Sequence, residues 1–174
     1  VTVRPKGGEA LVNFMKPLAG SYAGIPDPSD DPALLVHRYG KGKAIYLSGD
    51  LGNSLNSYHF IEWSRLIENV LRDVAPSPVL VENAPRSLEV VLRSQEQGRR
   101  LLLHLVNFTG EMTRPIRRIV PLENVGVTLR TRGDVKRIHT LMRPQTLVPR
   151  RTGGEQVQFV VPRMEEYEVV VLEK

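Results

Sequence analysis

Gln156-Val157-Gln158-Phe159-Val160 alternates polar and apolar side chains, and this pattern sets the fold predicted for the C-terminal half. Such alternation is typical of a strand with one face buried and the other in solvent. Short apolar runs separated by turn signals recur after residue 78, and they predict an antiparallel, Ig-like β-sandwich over residues 79–174. The predicted strands are Val79–Glu82, Ser87–Ser94, Arg99–Phe108, Val125–Thr131, Val135–Met142, Gln156–Val161 and Tyr167–Leu172.

A proline-rich joint, Ala75-Pro76-Ser77-Pro78, separates this region from the residues before it. Because proline cannot continue a helix, the joint ends one long helix that we predict over Ser57–Val74. Apolar residues recur in that segment at steps of three and four, and they form a single stripe. The stripe contains Phe60, Trp63, Leu66, Ile67, Val70, Leu71 and Val74.

A hairpin is predicted before the helix, with strands over Ala33–Tyr39 and Ala44–Ser48. Between them, Gly40-Lys41-Gly42-Lys43 supplies the glycines that a tight turn needs. A further strand is expected over Glu9–Met15, followed by a loop. The helix stripe needs a sheet to cover it. Either it packs on a small local sheet, or residues 1–75 are the C-terminal part of an α/β domain whose other strands lie upstream in a longer parent. The predicted fold class is therefore α+β, mostly β.

The composition is that of an ordinary globular protein, with 41% hydrophobic and 25% charged residues. Apolar runs such as Val169–Leu172 are far too short to span a membrane, and the polar start shows no secretory signal. The chain starts without Met, so we expect a fragment or a processed product; removal of the initiator Met alone gives the same start. The absence of cysteine excludes disulfides, thiolate zinc sites and a cysteine nucleophile. The compartment stays open between bacterial cytoplasm and export.

The formal net charge is +5 at pH 7, which raises the question of a nucleic-acid partner. The basic residues are scattered along the chain, mostly at predicted strand ends and turns, where a solvated surface explains them. We therefore expect neither nucleic acid nor a membrane as a partner.

Metal-binding and catalytic patterns are missing. The four histidines are far apart in sequence, and none has a second ligand at metal-binding spacing, so no metal or other cofactor is expected. No nucleophile elbow, phosphate loop or dinucleotide fingerprint is present, and no catalytic residue is assigned. Asn107-Phe108-Thr109 matches the N-glycosylation pattern, which matters only in a eukaryotic secretory setting. Carboxylates that a glycosidase would need as a pair lie mostly in predicted turns: Asp50, Glu62, Glu111, Glu123, Asp134, Glu165 and Glu166.

One polar loop, Ser48-Gly49-Asp50-Leu51-Gly52-Asn53-Ser54, links the second hairpin strand to the helix. Open α/β folds place ligands at the carboxyl ends of strands and at helix N-termini. Ser48, Asp50, Asn53 and Ser54 are therefore the candidate ligand or interface residues. A polar connection that caps the helix explains the same residues.

The segment 32–50 (PALLVHRYGKGKAIYLSGD) resembles the end of the glutamine-amidotransferase-like domain that follows the catalytic barrel in many bacterial glycoside hydrolases. The trimerisation domain of family 42 β-galactosidases is the best-known example, and related domains occur in fucosidase-like hydrolases. Residues 101–109 (LLLHLVNFT) and 167–173 (YEVVVLE) are similar to strands of the β-sandwich that closes those polypeptides.

The resemblance implies that a catalytic barrel lies outside this chain, with its acid and nucleophile carboxylates. It also implies an absence of amidotransferase activity. Class I amidotransferases use a cysteine nucleophile and a His-Pro-Glu sequence before the last helix. The matching stretch here is Ser48-Gly49-Asp50, with neither His nor Cys, so a nucleophile has no base to activate it.

Three functions are compatible with these observations. The first is a non-catalytic accessory or assembly region of a glycoside hydrolase, which binds the rest of its parent polypeptide or self-associates. The second is a carbohydrate-binding sandwich, although Phe108, Phe159 and Tyr167 are the only aromatic residues after residue 78 that a sugar could stack on. The third is an independent hydrolase that uses Asp50 or Glu165.

Overall fold

The computed structural model describes residues 3–110, 115–151 and 155–174, apart from the side chain of Arg151. The chain divides into two compact units, Val1–Pro76 and Ser77–Lys174. Within the described residues, strands make up 48% of the structure and helices 15%, and the strands form three antiparallel sheets. The predicted fold class, with an α/β segment and one long helix, is therefore wrong. No helix in these residues has the length and apolar character that a membrane crossing requires.

The sheet of the first unit consists of β1 (Glu9–Met15), β2 (Pro28–Tyr39) and β3 (Gly42–Leu47), in that order. The predicted hairpin is confirmed, because β2 and β3 pair antiparallel and Tyr39 lies opposite Gly42. Gly40 has φ +57° at the turn, a value that glycine adopts without steric cost and that hairpin turns favour. All three strands are antiparallel, so the sheet lacks the parallel strands of an α/β domain.

Two helices, α1 (Leu51–Tyr58) and α2 (Ile61–Val74), replace the predicted single helix. The break occurs at His59, which ends α1 in the left-handed conformation with φ 54°, and at Phe60, which is extended. Neither glycine nor proline marks this position, so the sequence gives little sign of it. Around the break, Phe60 stacks on Tyr58 with 5.9 Å between ring centroids and meets the edge of Trp63 at 6.0 Å.

Burial in the first unit is limited. Among its described residues, the buried hydrophobic side chains are Leu34 and Leu35 of β2. Every residue of β1 is exposed, including the large apolar side chains of Leu11 and Phe14. Neither helix contains a buried residue, although Trp63, Leu66, Ile67 and Val70 on the predicted stripe are half-buried.

The second unit contains two antiparallel sheets. One has the order β10-β11-β7-β4 and the other has the order β5-β6-β12-β8-β9. The strands are β4 (Val79–Glu82), β5 (Leu88–Gln95), β6 (Arg100–Asn107), β7 (Leu122–Arg130), β8 (Arg137–Thr140), β9 (Thr146–Leu147), β10 (Arg150–Arg151), β11 (Gln156–Met164) and β12 (Tyr167–Glu173).

The inner faces of both sheets contribute to one apolar core, as in a β-sandwich. Val157 and Phe159 of β11 are buried while Gln156 and Gln158 stay partly exposed, so the alternation predicted for this strand is confirmed. On the other sheet, Leu103 and Leu105 of β6 are fully buried. Such alternation lets each strand supply one face to the core and the other to solvent.

Candidate functional site

The four candidate residues lie at the junction between β3 and α1. The buried Ser48 hydroxyl donates to the Pro32 carbonyl at 2.6 Å, which ties the end of β3 to the middle of β2. Asp50 is the N-cap of α1, and its carboxylate accepts from the Asn53 backbone N–H at 3.1 Å. Capping of this kind satisfies one of the free N–H groups at a helix start. Local structure therefore accounts for Ser48 and Asp50 without a ligand.

A cleft of about 380 Å³ opens beside this junction, and we call it the first-unit cleft. Of the four candidates, Asp50 and Ser54 line it, together with apolar side chains from β1, β2, β3 and both helices. Its apolar walls include Phe14, Leu34 and Trp63. Asp50 is the only carboxylate that lines it among the described residues, and no histidine does. Such a wall offers neither an acid–base pair nor an activated nucleophile.

The histidines do not converge on a site. His37 bonds the Gly7 carbonyl through Nδ1 at 2.6 Å, and His104 bonds the Tyr167 hydroxyl at 2.5 Å. The Nδ1 atom of His139 is buried without a hydrogen-bond partner in the part of the chain that the structure describes. Over residues 3–110, 115–151 and 155–174, no group of three His, Asp or Glu side chains is arranged to hold a metal ion.

Two of the candidate carboxylates of the second unit, Glu123 and Glu165, lie in surface ion pairs. Arg163 bonds Glu123 at 2.8 Å and Glu165 at 3.4 Å, and Arg143 also bonds Glu165. All four side chains are between 44% and 61% exposed, whereas a glycosidase acid is usually shielded so that it stays protonated. Glu62, Asp134 and Glu166 are exposed as well, and Glu111 lies outside the described residues.

Asn107, the acceptor residue of the N-glycosylation pattern, is buried at the end of β6. Its side-chain nitrogen donates to the carbonyls of Val120 at 2.8 Å and Glu165 at 2.7 Å, which uses both of its hydrogens. Its oxygen accepts from the Thr109 backbone N–H and hydroxyl. The Asn-x-Thr pattern is therefore a structural latch that joins three segments of the second unit.

Glu168 is a second latch, and the sequence analysis missed it. The side chain is fully buried, and its carboxylate accepts from the backbone N–H groups of Leu141, Met142, Arg143 and Val169. A buried charge is tolerated when hydrogen bonds of this kind satisfy it. The sequence does contain a sign of it. Glu168 lies two residues before Val170 and four before Leu172, so strand alternation places this acid on the same core-facing side. All of its contacts are to backbone, so its role is to hold the turn after β8.

The aromatic residues of the second unit do not form an exposed platform for sugar stacking. Phe159 is buried in the core, whereas Phe108 is 47% exposed. Tyr167 is 36% exposed and stacks on His104 with 6.0 Å between ring centroids. Binding of a sugar to this unit would therefore depend on hydrogen bonds more than on stacking.

No protein-family model matches the chain, and no relative is found among curated proteins. Among solved structures, the chain is similar to α-L-fucosidase isoenzyme 2 from Paenibacillus thiaminolyticus, with a TM-score of 0.71 and 20% sequence identity. The match covers 92% of this chain and 26% of the fucosidase chain. A match of this extent includes residues of both units. The fold of this chain is therefore one that also occurs in a region of a bacterial glycoside hydrolase.

Proposed function

We propose that this chain is a non-catalytic accessory region of a glycoside-hydrolase-type protein, whose bond-cleaving residues lie outside it. The observation that carries this proposal is the fold match, which extends over both units and corresponds to 26% of a much longer fucosidase. The distribution of acids supports it, because the one carboxylate of the first-unit cleft caps a helix. In the second unit, the ion-paired Glu123 and Glu165 lie at the surface, and the buried Glu168 is bonded to backbone N–H groups. Fucosidase activity is a property of the similar protein, and we do not propose it for this chain.

The partner surface of such a region is β1 and its surroundings. β1 pairs with β2 along one edge, and its other edge carries no strand within the described residues. Four large apolar side chains of this strand, Leu11, Val12, Phe14 and Met15, are between 38% and 55% exposed. An exposed apolar edge strand is a template for pairing with another strand.

We infer that this edge is covered by the rest of the parent polypeptide or by a second copy of the chain. The first unit exposes further apolar residues, including Phe60 at the break between the helices and Ile61 and Leu71 of α2. Exposed apolar residues, when they form a patch, mark interaction sites in proteins. The accessory role is therefore one of assembly, in which the first unit docks and the second unit folds on its own core.

A turnover assay tests the non-catalytic part of the proposal. Purified chain incubated with nitrophenyl α-L-fucoside and nitrophenyl β-D-galactoside is expected to release no nitrophenol above the buffer rate. Turnover that scales with the amount of chain and disappears in Asp50→Ala or Glu165→Gln would contradict the proposal. Turnover that persists unchanged in both variants would come from a contaminating enzyme.

Sedimentation velocity tests the docking surface. Val12→Lys with Phe14→Lys places charge on the β1 edge and is expected to abolish any concentration-dependent association of the chain. Gln95→Lys, at the end of edge strand β5, adds one of the same charges on the second unit and is the control. If the chain associates and the β1 variant associates equally, the surface is wrong. If the wild-type chain stays monomeric, the partner that covers the β1 edge is the rest of the parent polypeptide and not a second copy of the chain.

A further inference from the structure

A groove of about 460 Å³ crosses the solvent face of the four-stranded sheet in the second unit, and we call it the outer-face groove. Glu82 of β4 and Arg150 of β10 contribute from the two edge strands, and Thr128 and Gln158 from the strands between them. Gln145 and the residues after it form a wall. The groove lies on the face opposite the apolar core, since Val127 and Phe159 alternate with Thr128 and Gln158 along the same strands.

Strand register places the polar side chains of the groove in line. Arg150 lies opposite Gln158, and Gln158 lies opposite Thr128. Because neighbouring strands are about 4.8 Å apart, this row extends over roughly 10 Å. In the next row, Glu82 lies opposite Gly126, which in turn lies opposite Val160. The groove therefore presents a guanidinium, an amide, a hydroxyl and a carboxylate around a centre formed by Gly126 and Val160.

These polar groups are uncommitted. Within the described residues, the side chains of Glu82, Thr128, Arg150 and Gln158 take part in no hydrogen bond or ion pair. Nearby Arg163 and Arg143 behave differently, because both are paired with Glu165. A concave surface with a few convergent and unpaired polar groups is the usual form of a small-molecule site.

Gly126 at the centre of the groove is not required by the fold. Its φ lies outside the left-handed region, and a Cβ atom placed there would meet Glu82 Cβ at 3.5 Å, an ordinary contact. Gly110 is different, since a Cβ there would come within 2.2 Å of Ile116. Glycine weakens a strand interior, and it often marks a place where a ligand approaches the backbone. Gly126 deepens the groove where a side chain would fill it.

We propose that the outer-face groove binds a neutral carbohydrate. Sugar hydroxyls both donate and accept hydrogen bonds, and the guanidinium, carboxylate, amide and hydroxyl groups of the groove supply matching partners. The charges of Glu82 and Arg150 balance, so the groove favours a neutral ligand over an anionic one. Gly126 and the exposed side chains of Val148 and Val160 offer apolar surface for the CH groups of a pyranose ring. With Phe159 buried, no ring is available in the groove for stacking, and millimolar affinity is expected.

Amide chemical shifts of the ¹⁵N-labelled full chain, titrated separately with L-fucose, D-galactose and lactose, test this proposal. At least one of these probes is expected to cause saturable shifts at Gly126, Thr128 and Gln158. Gly126→Val fills the centre and is expected to weaken binding at least tenfold, as is Arg150→Gln, which leaves the strand interior untouched. Glu89→Gln removes an exposed carboxylate from β5, outside the groove, and is expected to leave the affinity unchanged.

The absence of saturable shifts with all three probes overturns the proposal. Shifts that map to other residues, or that persist at wild-type affinity in both Gly126→Val and Arg150→Gln, overturn it as well. Stronger binding of D-glucuronate than of the neutral probes would reassign the groove to anions. The inference goes beyond the accessory role and does not rest on it, because the turnover assay and the sedimentation experiment do not depend on this groove.

Discussion

The two units of the chain differ in how they use their apolar residues. In the second unit, both sheets turn alternate side chains into one core, and residues such as Leu103, Val127 and Leu172 are almost completely buried. In the first unit, Leu34 and Leu35 are the buried hydrophobic residues among those described, while β1 and α2 expose many others. The second unit can thus be stable on its own core, whereas the first carries apolar surface that no described residue covers.

This difference shows that strand content alone does not make a self-sufficient fold. A strand that alternates cleanly needs a partner on one face only. β1 has neighbouring apolar residues, Leu11 and Val12, so apolar side chains point to both of its faces. Such a strand is stable when it is enclosed on both sides, which supports assembly as the role of the first unit.

The largest effect that sharpens this comparison is expected at Leu103, which is fully buried. Leu103→Ala is expected to lower the free energy of unfolding of the second unit by about 2–5 kcal/mol. Leu11→Ala in the first unit, where the side chain is 55% exposed, is expected to cost less than about 1 kcal/mol. Urea titration followed by far-UV circular dichroism measures the first loss.

The chain contains one tryptophan, Trp63, in α2, so its fluorescence reports on the first unit alone. The fluorescence transition of Leu103→Ala is expected to stay at the wild-type urea concentration. A loss at Leu11→Ala as large as that at Leu103→Ala would remove the distinction between the two units.

The next effect is expected at Glu168, the buried latch of the second unit. Glu168→Gln keeps the shape of the side chain and replaces an acceptor oxygen by a donor that faces backbone N–H groups. The loss of charged hydrogen bonds is expected to cost about 2–3 kcal/mol, measured by urea unfolding. Glu166→Gln, two positions away and exposed, is the matched control and is expected to be neutral. Equal stability of both variants would mean that the four N–H bonds do not hold the turn.

A smaller effect is expected at Asp50, the cap of α1 in the first unit. Asp50→Ala is expected to destabilise this unit by about 0.5–2 kcal/mol, while Asp50→Asn, which can still cap, should lose much less. Urea titration followed by Trp63 fluorescence measures both. A transition of Asp50→Ala that coincides with the wild-type transition would reopen a role for this carboxylate other than capping.

The smallest effect is expected at the ion pair between Lys43 and Asp73, which join β3 and α2 at 2.6 Å. The two side chains are 29% and 50% exposed, so solvent and salt screen their attraction. Lys43→Gln is expected to lower the free energy of unfolding by at most about 1 kcal/mol. This loss should be smaller in 0.5 M sodium chloride, because salt screens the attraction between exposed charges. An undiminished difference in salt would indicate that Lys43 acts through packing of its alkyl chain.

Local patterns predicted seven of the nine strands of the second unit and the hairpin of the first, because alternation and glycine turns are encoded by neighbouring residues. The two strands that were missed, β9 and β10, have two residues each, which is too short for an alternating pattern. The break between α1 and α2 was missed, since His59 adopts its left-handed conformation without glycine or proline nearby. The predicted loop Ser48–Ser54 was wrong in its second half, because α1 begins at Leu51 with Asp50 as its cap.

The candidate site was only partly accessible to sequence reasoning. The loop that contains Ser48 and Asp50 does border the first-unit cleft, and whether that cleft binds anything stays a prediction. The outer-face groove could not be found in the sequence, because Glu82, Gly126 and Gln158 are far apart in the chain and meet only through strand register. Long-range pairing of this kind leaves no local pattern.

The latch formed by Asn107 has a practical consequence for producing this protein. In a eukaryotic secretory host, oligosaccharyltransferase acts on nascent Asn-x-Thr sequences before they fold. An attached glycan would occupy the nitrogen that reaches Val120 and Glu165, so a modified molecule could not close this corner of the second unit. Yeast or mammalian secretion is therefore expected to yield a mixture in which the glycosylated fraction is misfolded, and expression in bacterial cytosol avoids that competition.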